Sequence, residues 1–211
     1  MVDLETAGQI PGSVILSIGA VAFDPETGEI DDGFYSVVNR VSCICAGLRY
    51  DQDTIDWWMK QAPEARAVLT ESNRDDAPSL LVALAAFNGY LARFAGEEAR
   101  VWGNGSDFDN ALLASAYRAV GIKPGWKFWN SRCYRTLKNL HPDVPLEKRT
   151  GVFHNALDDA RTQAEHALQI FAKMRTATRF EIRADAEPVL TAVAALSTVA
   201  SAAAEDDDII G

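Results

Sequence analysis

Histidine, cysteine and methionine each occur only three times in 211 residues. The cysteines, Cys43, Cys45 and Cys133, are sparse and odd in number, which excludes a disulfide scaffold, and no His or Cys cluster completes a zinc site around Cys43 and Cys45. Positive charge is missing from the N-terminus. Asp3 and Glu5 occupy the stretch where a secretion signal carries basic residues, so the sequence as written does not read as an exported precursor. Long apolar runs are missing too. The best membrane candidate, Val189–Ala204, is 16 residues rich in Ala, Ser and Thr, and a helical span needs roughly 20 strongly apolar ones. These absences point to a soluble chain with no membrane partner.

What is present is ordinary globular material: 48% apolar and 24% charged residues, enough to bury one sizeable core. The net charge of −10 argues at first against a polyanionic partner, but the charge is uneven. Residues 117–149 hold two acids, Asp143 and Glu147, against eight bases, a local excess of six positive charges. Trp126, Phe128, Trp129 and Tyr134 lie in that same segment. Bases mixed with aromatics suit a surface that holds phosphates and stacks bases. They equally suit a solvated basic helix with its own core aromatics.

Val14–Phe23 is apolar, β-branched and bounded by Pro11-Gly12 and Pro25, which predicts a buried strand. A turn over Asp24–Gly28 and a returning strand at Phe34–Val38 make a hairpin, with Met1–Glu5 as a short strand beside it. Helices are expected at Asp53–Lys60 and Pro63–Leu69, from Pro78 to about Phe94, from a Ser106 or Asp107 cap to about Val120, at Arg132–Leu140 and at Asn155–Met174. Arg100–Trp102 and Lys127–Trp129 are the remaining strand candidates. Strands first, then strands and helices in alternation, indicate an α/β domain with a mixed sheet. The composition changes near residue 180. An Ala-rich stretch leads into Glu205–Gly211, an acidic end with the character of a tail, so the division is a domain over 1–180 and an appendage over 181–211.

Three sets of acids stand out. Asp3 and Glu5 are two residues apart, so on a strand both point to one face while Leu4 points to the other. Two carboxylates on one face of an apolar strand repel and lose hydration, and a divalent cation is the simplest agent to offset both; a strand end frayed into water needs none. Asp109 follows a strand and the Gly103-Asn104-Gly105 turn near a helix start, where an acid also favours the helix dipole, and Asp107 is its rival. His154 stands just ahead of a helix and five residues before Asp159, with Asp158 adjacent. Four acids converging in one cleft call for more than one positive charge, which two divalent ions would supply.

Asp3-x-Glu5-Thr6, Phe108-Asp109 and His154-x4-Asp159, in this order and spacing, resemble the three exonuclease motifs of the DnaQ-like superfamily, and the histidine places the likeness in its DEDDh branch. Ile15–Asp24, Thr54–Trp58, Trp102–Gly105, Arg135-Thr136 and His154–Ala160 are similar to the phage and bacterial 3′–5′ exonucleases grouped with the mycobacterial RNase-T-like exoribonuclease. The likeness covers about residues 1–175. It implies an RNase H-like fold, a mixed five-stranded sheet with helices on both faces. It implies a cytoplasmic enzyme, in a bacterial cell or a phage-infected host, that releases nucleotides from the free 3′ end of DNA or RNA. Carried over, Asp3, Glu5, Asp109 and Asp159 ligate two Mg²⁺ or Mn²⁺ ions and His154 is the general base. Leu4, Thr6, Asn104 and Phe108 are implied to meet the terminal nucleotide. Trp57 or Trp58 stacks a base or packs the core, and Arg132, Arg135 and Lys138 are candidates for phosphate contacts. A homodimer is implied by analogy alone. The second reading is a catalytically silent nucleic-acid-binding module on the same fold, and the third an endonuclease. The tail Asp206–Ile210 resembles the acidic–hydrophobic tips of single-stranded DNA-binding proteins, which suggests docking on a partner or covering of the basic segment; a purely solubilising tail fits as well.

Overall fold

The computed structural model describes residues 1–176 apart from Ser106, Lys148 and Thr150. The expected boundary near residue 180, the Ala-rich stretch and the acidic tail lie outside the described residues. Met1–Ile170 form one compact unit.

Strand β1 (Val2–Thr6) pairs antiparallel with β2 (Ile15–Ala20), which pairs antiparallel with β3 (Phe34–Val37). Every residue of β2 is buried, as its unbroken apolar run predicts for a central strand. The register sets Asp3 opposite Gly19 and Glu5 opposite Ser17, with a bulge between Glu5 and Thr6. One face of β1–β2 thus carries Asp3, Glu5, Ser17 and Gly19, while Val2, Leu4, Ile18 and Ala20 point the other way.

Four helices follow: α1 (Arg40–Cys45), α2 (Gln52–Trp58), α3 (Pro63–Glu71) and α4 (Leu80–Ala92). Asp51 caps α2 by accepting the amides of Asp53 and Thr54, and Ser79, not Pro78, caps α4. α1 is too short to show a period, and its apolar and polar residues predict no helix. Next come β4 (Val101–Gly103) and α5 (Asp109–Ala119), then β5 (Ser131–Cys133), α6 (Tyr134–Leu140) and α7, residues 156–176. Leu4 and Ile18 share one core with Leu84 and Phe87 of α4 and with Leu112, Leu113 and Tyr117 of α5.

The α/β class is as expected, but the five strands do not form one ladder. β1–β3 make a three-stranded antiparallel sheet, and β4 and β5 a parallel pair. Side chains occupy the seam between them. The Leu4 amide of β1 faces the Asp109 carboxylate, and the Asn110 amide donates to the Val101 carbonyl of β4 at 2.9 Å. Two further expectations are corrected. The strand placed at Lys127–Trp129 falls at Ser131–Cys133, because Phe128–Asn130 close a 3₁₀ turn in which the Asn130 amide donates to the Lys127 carbonyl at 2.8 Å. Phe128 and Trp129 have strand-forming side chains but are exposed (81% and 60%) and pair with no strand. The helix expected from Arg132 therefore starts at Tyr134. Asp107 is not the cap of α5: Phe108 takes that position, with no capping bond, and Ser106 lies outside the described residues.

Candidate active site

The last helix reaches the acid-bearing face because nothing stands in its way. A Cβ at Gly19 would lie 2.1–2.3 Å from backbone atoms of Ala156 and Leu157. Ala156, Ala160, Ala164 and Ala167 are all fully buried along one side of α7. Small residues on both surfaces bring helix and strand together, and that approach carries Asp159, one turn into α7, to Glu5. Asn155 starts the helix by accepting the amides of Leu157 and Asp158 at 3.1 and 3.2 Å.

Asp109, the first residue of α5, is 1% exposed and faces the same acids. The Asn104 amide donates to its Oδ2 at 2.7 Å, and a Cβ at Gly103 would lie 2.9 Å from that oxygen. The glycine turn therefore exists to let the carboxylate in. Asp107 is exposed, so of the two rivals it is Asp109 that meets the cluster. The neighbours Asp158 and Asp159 divide in the same manner. Asp158 accepts the Val152 amide at 2.7 Å and fills the space left by Gly151. Asp159 is buried, ion-paired with Arg149, and close to Glu5 and His154.

One ligand atom from each of Glu5, His154 and Asp159 lies within 4.8 Å of the others. His154 is held with φ at +60°, a conformation uncommon for a non-glycine residue and concentrated at functional sites. Its ring meets Trp57 edge-on at 5.0 Å between centroids and Trp58 at 6.0 Å. The two tryptophans have separate jobs. Trp58 is in the core and donates from Nε1 to the Thr6 carbonyl at 2.9 Å, while Trp57 is 42% exposed beside the histidine.

Burial pushes the acids up. Glu5 is raised to about 8 by lost hydration and by the Asp109 charge, with Arg149 opposing. Asp3 is raised well above the carboxylate range by burial, then by Asp109 and Glu5. Asp109 rises to about 6 through burial, against the amides of Asn104, Asp109 itself and Leu4, and the Arg135 charge. His154 is held below its ordinary value by burial and by Arg149, which keeps its imidazole neutral and able to accept a proton. Glu5 Oε1 and Asp109 Oδ1 are buried with no hydrogen-bond partner. Repelling acids with orphaned oxygens, beside a histidine, are a donor set that fits a hard divalent cation.

The other expected residues are placed as follows. The Leu4 side chain is in the core, so only its backbone borders the acids. The Thr6 hydroxyl donates to the Gly8 carbonyl at 2.7 Å. Asn104 Oδ1 is buried without a partner, and Phe108 packs against the core. Of the three basic candidates, Arg135 lies nearest: its charge acts on Asp109, and its guanidinium lies 3.6 Å from where a Cβ of Gly105 would stand. Arg132 is tied to the Trp129 and Ser131 carbonyls, and Lys138 sits over the Tyr134 ring. Arg149 and Gln163 escaped the sequence reading. Gln163, one turn beyond Asp159, could have been found from its i+4 spacing; Arg149, in an irregular segment, carries no such signal.

With this geometry in hand, the comparisons with known proteins are decisive. The family described as the 3′-5′ exoribonuclease Rv2179c-like domain matches residues 1–171. The chain belongs to that family. It is a 3′–5′ exonuclease. An exodeoxyribonuclease of Enterobacteria phage T4 is 28% identical over 158 residues, which is 64% of this chain and 68% of the phage protein. In fold, the family member resembles the nuclease domain of 3′hExo, a DEDDh protein solved with rAMP bound: TM-score 0.56 and 15% identity, over 82% of this chain and 90% of that one. Among the described residues no helix is long and apolar enough to cross a membrane.

Proposed function

We propose that this exonuclease hydrolyses the terminal phosphodiester of a single-stranded or overhanging 3′ end, with Asp3, Glu5, Asp109 and Asp159 as the ligands of two divalent ions and His154 as general base. The observation that carries the reading is the convergence of Glu5, His154 and Asp159 within 4.8 Å in a cluster of buried acids. When bound, Mg²⁺ or Mn²⁺ would lower the pKa of the attacking water and offset charge on the leaving oxygen. The neutral His154 takes a proton from that water as its oxygen attacks phosphorus in line. The bond to the 3′ oxygen of the penultimate nucleotide breaks, and a nucleoside 5′-monophosphate leaves. Trp57, exposed beside His154, stacks the terminal base. Asn104 and Phe108 border the terminal nucleotide, the Leu4 backbone and Thr6 back it, and Arg135 takes a phosphate. A homodimer, a tail-mediated partner and a cytoplasmic place in a bacterial cell or phage-infected host complete the proposal.

The family's description names RNA and the phage relative's name DNA, so the test uses both. Matched 5′-labelled DNA and RNA strands are digested with Mg²⁺, Mn²⁺ or EDTA, by the parent and by Asp159→Ala. A ladder shortening from the 3′ end, lost in EDTA and in the variant, is expected, and the faster strand names the substrate. Full activity in EDTA or in Asp159→Ala would overturn the assignment. A sedimentation run, with and without residues 205–211, reads the oligomeric state and the tail.

A further inference from the structure

Gln163 lies on the same side of α7 as Asp159, four residues further on, and is 7% exposed. Its Nε2 donates to Asp3 Oδ1 at 2.7 Å, across 160 residues of sequence. Its own Oε1 is buried with no partner. A buried amide with half its hydrogen-bonding capacity unmet is a poor way to stabilise a core, since the orphaned oxygen costs about as much as a single bond returns. An apolar side chain of the same length would fill the space better. The residue therefore answers a need other than packing.

That need is visible at Asp3. An ionised carboxylate, the form a bound cation would select, only accepts hydrogen bonds, and the amide nitrogen is the end of Gln163 turned toward it. With Oδ1 engaged from α7, rotation of the Asp3 carboxylate is restrained and its second oxygen remains available to a cation. Asp3 keeps part of its surface open, whereas Glu5, Asp109 and Asp159 are buried, so it has the least packing to orient it. The helix that supplies Asp159 thus also aims Asp3.

We infer that Gln163 is a positioning residue of the metal centre, holding the ionised Asp3 carboxylate in its ligating orientation through the Nε2–Oδ1 bond. The inference rests on the divalent-metal reading given above. Groups that orient a ligand from behind typically change metal affinity by 10–100-fold when removed. Gln163→Leu keeps the volume and removes both the donor and the orphaned oxygen.

The test is a calorimetric or spin-resonance titration of the full chain with Mn²⁺ alone, paired with thermal melting in EDTA. Gln163→Leu is expected to bind Mn²⁺ at least tenfold more weakly while melting at the same temperature or higher without metal. A merely structural glutamine predicts the reverse, a lower melting temperature and unchanged affinity, and that result would overturn the inference. Gln163→Met, whose flexible chain adapts to the same space, is measured alongside. It is expected to show the same loss, and parent-like affinity in either folded variant counts against the positioning role. If the parent binds no Mn²⁺, the metal reading itself fails, and the inference fails with it. If the parent binds and the variants match it, only the inference fails.

Discussion

Glu5 and Asp109 are set by packing and backbone, whereas His154, Arg149 and Trp57 stand at the rim, partly open to water. On the first side, strand register fixes Glu5, and a glycine turn with an inward amide fixes Asp109. On the second side, the histidine sits in a left-handed backbone conformation just before α7, flanked by one buried and one exposed tryptophan. On the proposed mechanism the difference separates two tasks. Charge must be gathered where water is excluded, which demands rigid elements; a proton must come and go, which demands an open edge.

The comparison breaks most sharply at the Asp158–Asp159 pair. Asp159→Ala should reduce nucleotide release on the order of 10³-fold, with the folded far-UV spectrum retained. Asp158→Ala, which loses the bond to the Val152 amide and the packing beside Gly151, should cost less than about tenfold, the scale of one loop hydrogen bond. Equal losses in a single-turnover assay would mean that the loop, not the ligand set, governs activity.

The rim is tested next. His154→Gly should lower kcat by about 10²-fold, the low end of a general base's contribution. The same change suits a backbone held at φ +60°, so the melting temperature should hold or rise. A fall in stability would show the imidazole to be a structural support.

On the rigid side, Gly19→Val should destabilise the protein by about 3 kcal/mol, because the added Cβ meets the α7 backbone rather than a side chain that can turn away. Urea unfolding measures it. A loss below about 1 kcal/mol would mean that α7 shifts freely on the sheet.

The smallest effect is the dependence on pH. Glu5 titrates near 8 when folded against an ordinary 4.5. From about 4.5 to about 8, the folded chain keeps a proton that the unfolded chain has lost, so this group makes the metal-free protein less stable as pH rises through that window. Asp109, raised to about 6, adds to the lower part of it. On the proposed function, a divalent ion would bind the ionised acids and expel those protons. The rise in melting temperature on adding Mn²⁺ should be a few degrees larger at pH 8.5 than at pH 6. A rise independent of pH would place the ion away from Glu5.

The chemistry was the most legible part of this chain. Asp3-x-Glu5, Asp109 and His154-x4-Asp159 are read directly, because ligand spacing and strand or helix periodicity are local properties. The strands β1 and β2 and the long helices were legible for the same reason. Asp109 over Asp107 and Asp159 over Asp158 were chosen by the motif resemblance alone, and Trp57 against Trp58 was left open, since each pair differs only in which way the backbone turns it. Ser131–Cys133 was missed as a strand because a parallel partner, not local propensity, makes it one. Gln163 and Arg149 meet Asp3 and Asp159 only through folding.

Sequence alone thus determined the family and named acids and a histidine that the structure brings close together, because residue type and spacing are properties of the sequence. Tertiary structure alone decided how the set is assembled. The flat contact of Gly19 with Ala156 brings α7 onto the sheet, the seam between β1 and β4 admits Asp109, and Gln163 reaches back to Asp3. Those are matters of close approach between distant segments, and a one-dimensional pattern contains no distances.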